Sequence, residues 1–140
     1  MKRFKFLMRC AGLFSLMSVV LPAWAGVVVV ANANVHKLDV QTVQRIYTGK
    51  VIEVGGVSVL PINLHVGQAV RQRFLADYLQ QSEDNYLAYW TVRRYVGKGV
   101  PPREVGSVAE VISYVQSTPG AVAYLDEADV PASMNVVLRK

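Results

Sequence analysis

The sequence is short of the residues that most site chemistry draws on. Its one cysteine, Cys10, stands among Lys2, Arg3, Lys5 and Arg9, ahead of an apolar run over residues 11–21. Beyond that segment there is no disulfide, no thiol nucleophile and no thiolate metal site. The two histidines, His36 and His65, lack the paired ligand spacing of a metal site, so no metal is expected. No serine sits in a nucleophile-elbow context, and nothing points to a cofactor or to catalysis. The acidic cluster Asp126, Glu127 and Asp129 reads as a solvated turn.

A surplus of one charge is lacking too. The whole chain carries +5, but four of its fifteen Lys and Arg lie in the first nine residues, where there is no Asp or Glu. The remainder balances 11 against 10, or +1, too small a basic excess for nucleic-acid binding.

The basic start, the apolar run and the small-x-small Ala23-Trp24-Ala25 read as a secretory signal peptide over residues 1–25, cleaved after Ala25. The run is shorter than the roughly 20 residues of a bilayer span, so no stable membrane insertion is expected after cleavage. Arg9 occupies the place where a lipoprotein signal wants a small residue before Cys10. Export without disulfides suits a bacterial periplasm. Residues 26–140 are then one domain of 115 residues, 140 minus 25, long enough to bury a core of its own.

Along that domain, "GVVVVA" (residues 26–31) is a β-branched run without polar alternation, as in a strand covered on both faces. Residues 39–47 have helical spacing, with Asp39 as N-cap and Gly49 as stop. Gly55-Gly56 marks a turn into a strand over residues 57–62, and an amphipathic helix follows the loop 65–67. Ser82 caps a helix from Glu83 to Val96, whose acidic start and basic end match the helix dipole. "KGVPPREVG" is expected to be loop because of its paired prolines. Ser107 and Glu110 form a capping-box pair for a helix over residues 108–117, and "AVAYL" and "MNVVL" read as strands. The expected fold is α/β, a small mixed or mostly parallel sheet with helices on both faces. In such sheets the loops after strands gather where ligands bind, here residues 32–36 and 63–67.

The order of "VVVVANANV", "LDVQTVQRIYTGKV", "VSVLPIN", "GQAVRQRF", "GKGVPPREVGS" and "STPGAVAYL" resembles the phosphate-type periplasmic solute-binding proteins of ABC transporters, specifically the second of their two lobes. The resemblance covers nearly all of residues 26–140. It implies a single lobe of a type II periplasmic-binding-protein-like fold and a small anion such as phosphate as ligand. In the family this helix opens Arg-x-x-Gly-Ser-Gly-Thr-Arg-x-x-Phe, with hydroxyls, backbone amides and arginine around the oxyanion. Here Gly67, Arg71 and Phe74 are kept, the first arginine position holds Leu64, and the Ser-Gly-Thr positions hold Gln68, Ala69 and Val70. Two hydroxyls and one guanidinium are gone, at roughly 1.5 to 3 kcal/mol for each charge-assisted hydrogen bond.

The candidate ligand-binding residues are accordingly Asn32, Asn63, His65, Gly67, Gln68, Ala69, Arg71 and Ser107. Four of them have a second reading: Arg71 as a solvated helix residue, His65 as incidental, Asn32 as a routine loop residue, Ser107 as an N-cap alone. The aromatic and arginine mixture of "NYLAYWTVRRY" reads mostly as core, with its exposed part open to another protein. Two functions remain open. One is an anion-binding module that uses the helix start after Gly67. The other is an accessory domain that has lost its solute and meets an envelope protein or a second copy of itself.

Overall fold

The computed structural model describes residues 26–140, so the leader expected over residues 1–25 lies outside the described residues. In chain order the elements are β1 (Val27–Ala31), α1 (Val40–Tyr47), β2 (Glu53–Val54), β3 (Val57–Ser58), β4 (Leu60–Leu64), α2 (Ala69–Phe74), a π-helical turn at Leu75–Leu79, α3 (Glu83–Tyr95), β5 (Arg103–Val105), α4 (Val108–Ser117), β6 (Ala121–Asp126), a 3-10 turn at Glu127–Asp129 and β7 (Asn135–Leu138). Five strands form one mixed sheet in the order β5-β4-β6-β1-β7, and β2 and β3 pair as a separate arm.

All five residues of β1 are buried, and alternate side chains of a strand point to opposite faces, so both faces are covered. Direction is where the apolar run misleads. β1 is antiparallel to both β6 and β7, while β4 is parallel to β6 and β5. Val122 pairs with Ala31 at the end of β1 and with Pro61 near the start of β4, so the loops after β1 and after β4 leave from opposite ends of the sheet. Residues 32–36 and 63–67 therefore do not gather in one crevice. An apolar run reports burial; strand direction comes from long-range pairing.

The proline loop also differs from expectation. Residues 103–105 form β5, registered as Ile62 with Arg103 and Leu64 with Val105. A three-residue edge strand begun just after Pro102 keeps all its own N–H groups, which the prolines do not forbid. The strand expected over residues 57–62 is broken into β3 and β4: Val59 turns back to Ile52, and the Leu60 N–H donates to the Gly120 carbonyl at 2.8 Å. Gly120 has φ +80°, and a Cβ there would lie 1.9 Å from the Ser58 carbonyl oxygen. Only glycine fits that crossing.

The helices follow their local signals. Asp39 accepts from Thr42 N, Ser82 from Asn85 N and Ser107 from Glu110 N. The helix after Gly67 is shorter than its pattern, because α2 relaxes into the π-helical turn that buries Leu75, Tyr78 and Leu79 and ends on left-handed Gln80. Phe74 stacks on Tyr124, with centroids 3.9 Å apart and planes within 5°, and meets Tyr47 edge-on at 4.7 Å. Buried phenols cost free energy unless their hydroxyls are bonded. Tyr47 donates to the Ile62 carbonyl, Tyr86 to the Tyr47 carbonyl and Tyr78 to the Val27 carbonyl.

Candidate functional site

At the end of β4 the chain turns through His65, Val66 and Gly67 into α2. The His65 N–H donates to the Val105 carbonyl, and the Gln68 N–H closes the turn on the His65 carbonyl. Gly67 adopts φ +92°, a conformation that favours glycine. Gln68 is the N-cap but makes no side-chain cap; its amide donates instead to the Gly106 carbonyl at 3.1 Å. Gly67 and Ala69 are exposed.

Arg71, in the first turn of α2, is only 1% exposed. Its Nε donates to Glu83 Oε2 at 3.0 Å, and its Nη1 donates to the Leu64 carbonyl at 2.9 Å and to Glu104 Oε1 at 2.8 Å. Nη2 lies 2.6 Å from Glu83 Oε1, and the guanidinium stands over the Tyr86 ring. Burial works against the charge, but the Glu83 and then the Glu104 hydrogen bonds outweigh it and raise the Arg71 pKa. Glu104 also faces exposed His65, with Nδ1 and Oε2 3.2 Å apart. One guanidinium between two carboxylates makes a cluster of net charge −1.

Asn63 is buried as well. Tyr124 donates to its Oδ1 at 3.0 Å and accepts from Leu64 N at 3.1 Å, while the Asn63 amide donates to Tyr86. Burial, the leading cause, raises the pKa values of Tyr124 and Tyr86, so both phenols stay neutral. A cavity of about 100 Å³ adjoins this network and is lined in part by Asn63, Arg71, Tyr86, Arg94 and Glu104.

Of the sequence candidates, His65, Gly67, Gln68, Ala69 and Arg71 share the β4–α2 turn, with Asn63 in the strand beneath them. Ser107 caps α4 across the Gln68 to Gly106 bond, where Gly106 N also donates to Glu110 Oε2. Asn32 is not brought there: at the other end of the sheet its amide donates to the Val115 carbonyl. The expectation that it shares a crevice with residues 63–67 is corrected by the antiparallel course of β1. Glu83 and Glu104, which occupy Arg71, were missed by sequence reasoning. Glu83 reads as a helix-dipole residue and Glu104 as part of a loop, and only their spacing to a retained arginine in the folded chain reveals them.

Among solved structures, the chain is similar to an ABC-type phosphate transport receptor from Vibrio cholerae, with a TM-score of 0.56 and 16% identity over 80% of this chain and 45% of that one. It is similar in the same way to a putative phosphate ABC transporter substrate-binding protein with bound phosphate from Clostridium perfringens, with a TM-score of 0.56 and 18% identity over 80% of this chain and 44% of that one. The fold is that of one lobe of a phosphate-type solute-binding protein. The chain spans less than half the length of these solute-binding proteins, and at such identity the likeness is one of fold. Both are named as transport proteins rather than enzymes. No family model matches the sequence, and no curated protein sequence matches it significantly. Among the described residues of this solute-binding-like fold, no helix is long and apolar enough to cross a membrane, and no group of His, Cys, Asp and Glu could hold a metal ion.

Proposed function

We propose that the chain is an exported, non-catalytic accessory domain of the solute-binding-like fold that works by meeting a protein partner and no longer holds an anion with its side chains. The observation that carries this reading is the engagement of Arg71. Its guanidinium is buried and bonded to Glu83, Glu104 and the Leu64 carbonyl, so most of its donors are already turned to internal partners rather than to an incoming oxyanion. Gln68, Ala69 and Val70 supply no hydroxyl. An anion at the head of α2 would rest on exposed backbone amides beside a cluster of net charge −1, where attraction is screened by water and opposed by Glu104.

The basic start, the apolar run and Ala23-Trp24-Ala25, read as a signal peptide over residues 1–25, support export. A periplasmic location and an envelope protein as the partner follow from the same reading. Isothermal titration with phosphate, sulfate and small carboxylates is the test. No saturable heat up to millimolar ligand is expected; saturable phosphate binding that weakens in Arg71→Lys would restore the anion-binding alternative.

A further inference from the structure

The charges of residues 26–140 are unevenly spread. Of the eleven Lys and Arg, Arg71, Arg73 and Arg139 are paired with carboxylates. Arg45, Lys50, Arg93, Arg94, Lys98 and Arg103 stand outside the ion pairs of the described residues, and they gather around the ends of α1 and α3. The Lys50 N–H donates to the Arg45 carbonyl. Arg93, held over Tyr89 and Trp90, donates to the Lys98 carbonyl and reaches the Gly49 carbonyl. Arg94 adjoins Pro101 and Pro102, and Arg103 stands over the Tyr114 ring.

Arg103 lines a groove of about 290 Å³, and Lys50, Arg94 and Lys98 belong to or adjoin the segments 49–52 and 100–102 that line it or the neighbouring cavity. Buried Ile46 and Trp90 line it together with exposed Ile52 and Leu60 and with residues 100–102, Val-Pro-Pro. Ile52 is 76% exposed and Val100 73%, far more than apolar side chains of this size need to be. Gly49 leaves room for the Trp90 ring, since a Cβ there would lie 2.7 Å from it. The prolines give their wall a preset extended course and no N–H donors. An occupant therefore has to bring apolar side chains for the groove and negative charge for the rim.

We propose that this groove docks an acidic, amphipathic segment of a partner protein, its apolar side chains seated between Ile52 and Val100 and its carboxylates facing Arg94, Lys98, Lys50 and Arg103. The proposal deepens the interaction-domain reading and rests on it. A concave apolar lining with a basic rim suits a protruding chain segment better than a flat lipid surface, and like charges on the rim exclude basic partners.

The test is selection from a random peptide library displayed on phage, run on the immobilised full chain and in parallel on two variants, Arg94→Glu/Lys98→Glu and Val100→Asp. All three positions are exposed, so the fold should persist, and circular dichroism checks it. Enriched peptides should combine several Asp or Glu with Leu, Phe or Trp, bind more weakly as salt rises, and lose about tenfold or more in affinity on each variant. No enrichment, a neutral or basic consensus, or acidic peptides held equally by the variants would overturn the proposal. Flotation with phosphatidylglycerol vesicles in the absence of peptide enrichment would give the groove to a membrane. Self-association abolished by Val100→Asp would give it to a second copy. Either result also overturns it. The phosphate titration keeps the two readings apart: phosphate binding removes the interaction-domain reading, whereas absent phosphate binding with no enriched peptide removes the groove alone.

Discussion

Arg71 Nη1 and Glu104 Oε1 lie 2.8 Å apart and tie α2 to the edge strand β5, across a separation of 33 residues. A guanidinium buried with carboxylate partners is costly to orphan from either side. Arg71→Ala should lower unfolding free energy by about 3 to 5 kcal/mol, since it leaves Glu83 and Glu104 without their cation. Urea denaturation of the variant measures this; a loss below about 1 kcal/mol would mean the cluster is not a structural tie.

Glu104→Gln tests the same contact from the other side. It removes one negative charge and leaves Arg71 bonded to Glu83 and the Leu64 carbonyl. Stability should fall by about 1.5 to 3 kcal/mol, the worth of a hydrogen bond to a charged group. Phosphate binding should stay undetectable, because Glu83 still occupies the guanidinium. A gain of saturable phosphate binding in this variant would show that Glu104 alone had closed the site.

Two glycines separate structural need from ligand access. Gly120→Ala places a Cβ against the Ser58 carbonyl and forces a left-handed alanine, so a cost of about 2 to 5 kcal/mol is expected from overpacking and backbone strain together. Gly67→Ala meets nothing within 4 Å and should cost about 1 to 2 kcal/mol for its φ alone. Thermal melts of the pair, compared with the wild type, check the order; equal losses would contradict the crossing at Gly120.

Acid and alkali should act through different groups. The Thr42 hydrogen bonds lower the Asp39 pKa, and the Arg73 hydrogen bond lowers that of Asp126. Their contribution is present above the ordinary carboxylate value and disappears as pH falls through the lowered folded values, so Asp126→Asn should flatten the acid limb of a stability profile below about pH 4. Burial instead raises the pKa of Tyr47, Tyr86 and Tyr124. Stability linked to the neutral phenols is present below about pH 10 and lost as pH rises toward their folded values. Tyrosinate absorbance in the near ultraviolet should therefore appear together with unfolding for these rings; ionisation that precedes the loss of circular dichroism at all three would contradict their burial.

Tyr124→Phe removes the hydroxyl that accepts from Leu64 N and donates to Asn63. Leaving those groups without a partner should cost about 1 to 3 kcal/mol while preserving the stack on Phe74. Hydrogen exchange at Leu64 offers a local readout, with faster exchange expected and unchanged protection counting against the network.

What could be read in advance was local. Asp39, Ser82 and Ser107 announce their helices because a cap is made within three residues of itself, and all three caps form. The burial of "VVVVA" was legible as well, from the lack of polar alternation. Its antiparallel direction was not, nor was β5, since both depend on partners far along the chain. Arg71 illustrates the same limit at the site. Its retention within a helix-start pattern could be seen, but Glu83 and Glu104, 12 and 33 residues away, decide what its charge does. The groove was equally hidden, because it is assembled from α1 and the chain after it, the start of β4, α3, the proline segment and α4.

The pairing of Val29 with Leu138, next to Val27 facing Asp126, brings the two flanks of the domain to one corner. That corner is at the Leu64 end of the sheet, while Leu60 and the groove beside it are at the far end. A tether, reporter or neighbouring module fused at either flank would therefore leave from the same spot and point the basic groove outward, free to reach whatever it is held near.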